Sequence, residues 1–174
     1  LDLKKIHYTD ENILTDPNLG FQMEIPSGWR IYTLRADNVL FGRSLSSVHT
    51  DSMMIRRLSD DSFKELGSAT KATINEAEKN FIEKITSYTP NITILHHEPI
   101  IVGVGDLRGS LSQSTDNEDL KKVFLLNAYL LNPQGEGYVI HFQTDDTINY
   151  DLKLSAFKRA VQSFTLLGQK KKST

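Results

Sequence analysis

Residues 121–131 constrain the fold most, because this stretch is apolar on both faces of a strand. Val123 and Leu125 would lie on one face and Phe124 on the other, since successive side chains of a strand alternate. A strand that is apolar on both sides is typical of the centre of a sheet whose two faces are both covered. We therefore predict a layered fold with this strand near its middle.

Period-two alternation predicts further strands on both sides of this one. They are expected at residues 39–44, 52–58, 91–97, 107–113 and 138–143. The turn sequence Asn-Pro-Gln-Gly at residues 132–135 joins the central strand to the last of these. Such a short connection requires antiparallel neighbours, so residues 107–143 are predicted to form a meander.

Residues 19–32 predict a β-hairpin that carries the only tryptophan, Trp29. Phe21 and Met23 alternate with polar residues, as in a half-buried strand. Pro-Ser-Gly at residues 26–28 then breaks the run, because proline presets the start of a turn and glycine permits a positive φ at its end. The alternation resumes after this turn.

Two amphipathic helices complete the pattern. The first starts at a capping box, Thr-Ile-Asn-Glu at residues 73–76, and ends before Pro90. The second begins near Thr147, with an apolar stripe of Tyr150, Leu154, Phe157, Val161 and Phe164. The order of elements predicts an α+β fold, a central antiparallel sheet flanked by helices on both faces (an α/β/α sandwich). Its expected core includes Phe21, Trp29, Phe81, Phe157, Val161 and Phe164.

The length of 174 residues suits one domain with a real core. Residues 1–18 are polar and are interpreted as an N-terminal arm, and residues 19–167 as the single domain. Residues 168–174 form a lysine-rich tail that we expect to be disordered, because the tail contains no apolar side chain that could pack against the domain.

Composition excludes several classes of function. A net charge of −2 argues against a general nucleic-acid binder. The sequence contains no run of about 18 apolar residues, so it predicts no membrane span. The absence of cysteine excludes disulfides, thiol catalysis and cysteine-ligated zinc. Because the chain starts at Leu1 and not at Met, we expect that a signal peptide, a lipid-anchor segment or the rest of a longer chain preceded it. Export or membrane anchoring is therefore favoured over a cytoplasmic location.

The motif Gly-Phe-x-x-x-x-Pro-x-Gly-Trp at residues 20–29 resembles the opening of PsbP-like proteins, and Ser163-Phe164 resembles the close of their final helix. This superfamily includes the photosystem II extrinsic protein, Ran-GTPase-binding nuclear import factors and bacterial proteins of unknown role. The resemblance implies a central antiparallel sheet between helices. It also implies a non-catalytic binding or accessory module that acts through protein partners, without a cofactor.

Candidate catalytic residues have simpler interpretations. His96 and His97 are adjacent in a predicted strand, so they would point to opposite faces and could not easily share a metal ion. Ser68-Ala-Thr-Lys71 matches Ser-x-x-Lys, but it precedes a helix, where Ser and Thr are expected as caps. We predict no catalytic, metal or cofactor site. A cytoplasmic chaperone or adaptor of the same fold, and a hydrolase with an unrecognised site, remain the alternatives.

The predicted meander brings two acidic loops to one end of the sheet. This rim is a candidate site for a cation or a basic protein partner, because calcium prefers several oxygen ligands and a crowded negative rim attracts positive charge. The alternatives are that these carboxylates are simply solvated, or that one of the last two caps the final helix. The rim consists of Asp116, Glu118, Asp119, Asp145 and Asp146.

Overall fold

The computed structural model describes residues 7–8, 12–26, 29–35, 39–44, 51–58, 91–102, 107–116, 122–132 and 137–168, together with Lys79 and Glu83. Two antiparallel sheets and one helix make up these ranges. The four-stranded sheet has the order β1-β2-β3-β11 and contains β1 (His7–Tyr8), β2 (Ile13–Asp16), β3 (Phe21–Glu24) and β11 (Thr165–Leu166).

The seven-stranded sheet has the order β4-β5-β6-β10-β9-β8-β7. Its strands are β4 (Trp29–Arg35), β5 (Val39–Ser44), β6 (Asp51–Leu58), β7 (Ile92–Val102), β8 (Leu107–Asp116), β9 (Val123–Leu131) and β10 (Gly137–Thr144). Helix α1 (Tyr150–Gln162) follows β10. The predicted meander is confirmed, because β8 pairs with β9 and β9 with β10, both antiparallel.

The predicted N-terminal hairpin is wrong. β3 pairs with β2 and β11, whereas β4 pairs with β5 in the other sheet. The segment that begins at Pro26 therefore carries the chain from one sheet to the other. Proline has no N–H group for a ladder hydrogen bond, which favours such a break between strands.

The core lies between helix α1, the small sheet and one face of the large sheet. Phe142 of β10 lies 5.6 Å from Phe157 of α1, measured between ring centroids. Phe21 of β3 stacks on Phe164 at 5.1 Å. The Tyr138 hydroxyl, from the same face of β10 as Phe142, donates a hydrogen bond of 2.8 Å to the carbonyl oxygen of Leu19. These contacts tie both sheets and the helix together.

Most of the predicted core is confirmed where the structure describes it. Buried side chains are those of Phe21, Phe157, Val161 and Phe164. Trp29, expected in the core, is only half-buried and packs at its edge, because it lies at the start of β4, where the chain has just left the small sheet. Phe81 lies outside the described residues.

The interpretation of residues 1–18 as an arm misses two strands, β1 and β2. β2 pairs with β3, and its Leu14 is fully buried in the core. The side chain of Asp16 accepts hydrogen bonds from the backbone N–H groups of Asn18 and Leu19, at 2.8 and 3.1 Å, and so closes the turn into β3. Of the expected disordered tail, only Gly168 is described.

The described residues do not support helices on both faces of the large sheet. Helix α1 covers one face, through its contacts with Phe142 and its neighbours. Of the helix predicted after residue 73, only Lys79 and Glu83 are described, each helical and exposed. The confirmed architecture is thus mostly β, with two antiparallel sheets and, among the described residues, one helix whose bounds are known.

Candidate functional site

A cleft of about 360 Å³ opens beside the first half of helix α1. Met53 of β6, Phe142 of β10 and Phe157 of α1 form its apolar side. Asp51, Asp146 and Lys153 form its charged side. The remaining lining residues are Pro26, Trp29, Asn149, Leu152 and Ala156.

Strand register brings the charged groups together. Asp51 is the first residue of β6 and pairs with Thr144, the last residue of β10. The Thr144 hydroxyl donates a hydrogen bond to Oδ1 of Asp51. The chain then turns into α1, and Oδ1 of Asp146 accepts a hydrogen bond of 3.1 Å from the backbone N–H of Asn149, directly before the helix.

The Lys153 ammonium group lies between two carboxylates. Its Nζ is 2.7 Å from Oδ2 of Asp51 and 3.0 Å from Oδ2 of Asp146. Both carboxylate side chains are 5% exposed, and that of Lys153 is 20% exposed. Asn149 Nδ2 donates a further hydrogen bond of 2.9 Å to Asp146. We call Asp51, Asp146 and Lys153 the charged cluster.

These contacts lower the pKa of Asp146 and raise the pKa of Lys153. Hydrogen bonds from Asn149, aided by Lys153, hold the pKa of Asp146 well below its ordinary value of 3.8, although burial acts in the opposite direction. Burial lowers the pKa of Lys153, but hydrogen bonds and charge interactions with Asp51 and Asp146 outweigh it and raise that pKa above 10.5. Asp146 and Lys153 therefore stay charged around pH 7.

Tyr150 anchors the start of α1 next to the cleft. Its hydroxyl donates a hydrogen bond of 2.8 Å to Oε1 of Gln113 on β8, and its ring stacks on Phe124 at 3.8 Å. Burial, with a smaller contribution from the Asp151 carboxylate, raises the pKa of Tyr150 to about 12. The phenol therefore remains a neutral hydrogen-bond donor that holds the helix in register with the sheet.

The Asp146→Asn variant should lose part of the pH dependence of stability in acid. The pKa of folded Asp146 lies below its ordinary value of 3.8, so this carboxylate stabilises the fold above that value. Its contribution is lost as the pH falls through the lowered pKa. Urea unfolding between pH 2 and 7 should show a shallower fall for the variant than for the wild type. The matched control is Asp151→Asn, at an exposed carboxylate in the first turn of α1; equal slopes for both variants would contradict the assignment.

Two large apolar side chains lie exposed near the charged cluster. Leu152, a lining residue, is 73% exposed, and Ile148 is 89% exposed. Ile148 and Leu152 lie on either side of Asn149 in the sequence and are four positions apart. Large apolar side chains grouped in this way beside a cleft mark interaction surfaces more often than isolated ones do.

The predicted acidic rim is only partly described. Asp116 ends β8, and Asp145 and Asp146 follow β10 at the same end of the sheet, as the meander requires. Glu118 and Asp119 lie outside the described residues. Asp116 and Asp145 are half-buried, whereas Asp146 is buried and bound to Lys153. Use of the rim by a cation or a basic partner stays a prediction.

The histidine pair lies on an edge strand, away from the cleft. His96 and His97 are both exposed on β7, and Nε2 of His96 is 3.5 Å from Oε2 of Glu98. Glu98 also contacts Lys158 of α1 at 3.4 Å. Among the residues that the structure describes, no three His, Asp or Glu side chains are grouped so as to hold a metal ion. The Ser68 motif lies outside the described ranges.

Sequence reasoning missed two members of the charged cluster. Asp51 and Lys153 are 102 residues apart, and no local pattern links them. A weak signal was present at Asp146, because an Asp three residues before Asn149 is a typical side-chain acceptor at the start of a helix.

The fold has solved counterparts, although no protein-family model and no curated protein matches the sequence. Mog1p, the Ran-binding protein of Saccharomyces cerevisiae, aligns with a TM-score of 0.60 at 13% identity, over 85% of this chain and 90% of Mog1p. The fold is PsbP-like. The sequence resemblance to that superfamily is thus confirmed at the level of the fold.

Two bacterial structures share this PsbP-like fold. One is PA94 of Pseudomonas aeruginosa, a protein of unknown function, with a TM-score of 0.55 at 15% identity over 95% of this chain and 97% of PA94. The other is LpqN of Mycobacterium tuberculosis, involved in cell envelope biogenesis, with a TM-score of 0.55 at 12% identity over 84% of this chain and 83% of LpqN. Likeness at these identities shows the fold alone. Within the described ranges, no helix has the length and hydropathy of a membrane span.

Proposed function

We propose that this protein is a non-catalytic binding module, and that the cleft beside α1 takes an apolar side chain of a protein partner. The observation that carries the proposal is the exposure of Leu152 and Ile148, 73% and 89%, beside a cleft with an apolar side. Covering apolar surface is favourable by about 25 cal/mol per Å² removed from water. A partner that covers both side chains and fills the cleft would gain this free energy.

The charges of the cleft support binding over catalysis. A general acid or base works best with a pKa near the operating pH. The pKa of Asp146 is lowered and that of Lys153 is raised, so neither group exchanges a proton readily near pH 7. Their hydrogen bonds hold the start of α1 against β6 and β10, which suits a preformed binding surface.

The fold gives further support to a protein partner. Mog1p, which has the same fold, is described as a Ran-binding protein. A PsbP-like domain can therefore serve as a protein-binding module, and we extend that role to this chain.

Replacing both exposed side chains, Ile148→Ser and Leu152→Ser, should weaken binding at the cleft. Random heptapeptides displayed on phage are selected on the wild-type protein, and the enriched peptides are synthesised. Trp29 lines the cleft and is the only tryptophan, so its fluorescence reports binding directly. We expect the double variant to bind at least about tenfold more weakly, because hot-spot truncations cost more than 1 kcal/mol each.

The matched control is Leu95→Ser on β7, a residue that is 50% exposed and does not line the cleft. It should leave the affinity unchanged. Selection that enriches no peptide, or enriched peptides whose affinity the double variant retains, would overturn the proposed function.

We also infer that the helix predicted after residue 73 covers the second face of the large sheet. On β9 and β10, Asn127, Leu131 and Val139 alternate with the side chains that face α1, so they lie on the opposite face. They are 4%, 5% and 3% exposed. A cover over this face accounts for such burial, and an amphipathic helix with a single apolar stripe has the right pattern.

A further inference from the structure

We propose that the cleft is one end of a longer groove along α1, and that this groove takes an extended segment of the protein partner with an arginine beside a large apolar residue. The inference rests on the proposed function and names the chemistry of the partner. Three features carry it: the continuity of the groove, the net charge of its first part and the aromatic rings beside that charge.

A second cavity of about 390 Å³ adjoins the cleft. Pro26 and Ala156 line both cavities, so the two meet between the chain at Pro26 and the middle of α1. The other residues of the second cavity are Asn12, Glu24, Ile25, Arg159 and Ala160. In this proposal the two cavities are parts of one groove, with α1 on one side and residues 24–26 on the other.

The helical side of this groove suits an extended chain. Leu152, Ala156 and Ala160 are spaced by four residues, so they lie on one side of α1 and span about 12 Å along its axis. An extended segment covers that length with about four residues at about 3.3 Å each. Because the alanine side chain is short, the backbone of such a segment can approach the helix closely at the half-buried Ala156.

The charged cluster favours a cation in the first cavity. Two carboxylates and one ammonium group leave one negative charge in excess. The donors of Lys153 are directed at Asp51, Asp146 and, at 3.5 Å, the Thr144 hydroxyl, so this lysine has little left to offer an acidic ligand. A positive side chain that enters the cavity meets the excess carboxylate charge, and a negative one is repelled.

Aromatic side chains next to the cluster favour arginine. Trp29, Phe142 and Phe157 line the same cavity, with the rings of Trp29 and Phe142 5.8 Å apart. A planar guanidinium group can stack on an aromatic face, such as the half-buried ring of Trp29, while its charge stays near the carboxylates, and a compact lysine ammonium does not stack in this way. The neighbouring apolar residue of the partner would cover Leu152.

The test uses heptapeptides selected on the wild-type protein. We expect the enriched sequences to carry an arginine next to a large apolar residue. Exchange of that arginine for citrulline, which has the same shape without the charge, should weaken binding at least tenfold. Most of the loss should persist as salt rises from about 50 to about 500 mM, because both carboxylates are 5% exposed and salt screens buried charges much less than exposed ones. Trp29 fluorescence gives the affinities.

A second variant tests the continuity of the groove. Ala156→Phe fills the junction of the two cavities and should weaken heptapeptide binding at least tenfold. The matched control, Ser155→Phe, places the same ring on an exposed position of α1 and should leave the affinity unchanged. Both variants are first checked for an unchanged melting temperature, and the citrulline exchange needs no change in the protein at all.

The outcomes separate the two proposals. Some peptides could lose affinity in the Leu152 variant but bind equally well with arginine and with citrulline. That result would overturn the requirement for arginine and leave the proposed function intact. Selection that enriches no peptide would overturn both. Acetyl-arginine amide that competes as tightly as the heptapeptide would show a small-cation site and overturn the extended segment.

Discussion

The Phe157→Ala variant is expected to lose about 3–5 kcal/mol of unfolding free energy, the usual cost of removing a buried phenylalanine. Phe157 is 1% exposed and lies in the middle of α1, where it meets Phe142 of the large sheet at 5.6 Å. Truncation removes the transfer free energy of the ring and leaves a cavity. The layers around it are fixed by strand pairing, so they can close that cavity only in part.

Urea denaturation at neutral pH measures this loss. The control is Leu152→Ala on the same helix, where the side chain is 73% exposed. It should change the stability by no more than about 0.5 kcal/mol, as surface substitutions usually do. A loss below about 1 kcal/mol for Phe157→Ala would show that α1 does not pack through this residue.

The same substitution at Phe81 tests the proposed cover on the second face. A helix that packs through its apolar stripe would place Phe81 against the sheet, so Phe81→Ala should also cost about 3–5 kcal/mol. Lys79 is helical and exposed, so Lys79→Ala serves as the control in the same segment. Near-equal stabilities of these two variants would contradict a packed second helix.

Gly109→Ala is expected to be the most disruptive single-methyl change, with a loss of about 3 kcal/mol or more, at the upper end of the cost of overpacking. A Cβ atom at this position would lie 1.6 Å from the backbone carbonyl oxygen of Tyr129 and 2.7 Å from its carbonyl carbon. Gly109 of β8 pairs with Leu130 of β9, and these adjacent strands both lie inside the sheet and not at its edge. Backbone atoms cannot rotate away, so the two strands would have to separate.

Gly168→Ala is the matched control for this prediction. Gly168 has a φ of +88° and no atom within 4 Å of the added Cβ position, so alanine there meets backbone strain without a clash. That strain costs about 1–2 kcal/mol. Chemical denaturation and the yield of soluble protein compare the two. If Gly109→Ala were as stable as Gly168→Ala, strands β8 and β9 would not approach as closely as described.

Local patterns predicted the strands of the large sheet well. Residues 39–44 were predicted as a strand and form β5 with the same bounds, and the meander from β8 to β10 follows from alternation and one short turn. These features depend on side-chain period and turn chemistry, which neighbouring residues determine. The bounds of β8 were less accurate: its polar end, Ser114 and Thr115, is buried in the sheet and not in a loop.

Alternation reveals strands but not their partners, as the N-terminal segment shows. The pattern around Pro26 fits a hairpin and a change of sheet equally well, because both need a break in the ladder at the same place. Only the pairing of β3 with β2 and β11 distinguishes them. β11 has only two residues, too few to show an alternating pattern in the sequence. Its pairing with β3 follows from the tertiary structure, in which Phe164 just after α1 stacks on Phe21 of β3.

Local sequence was enough to predict the alternating strands, the final amphipathic helix and the resemblance to the PsbP-like fold, because each of these depends on residues close together along the chain. The cleft, in contrast, could not be predicted from local sequence. Asp51 and Lys153 meet at 2.7 Å across 102 residues, because the register of β6 with β10 places Asp51 where the chain turns into α1. This contact depends on the pairing and register of β6 with β10, two strands that are not consecutive in the chain, so no local turn or pattern predicts it.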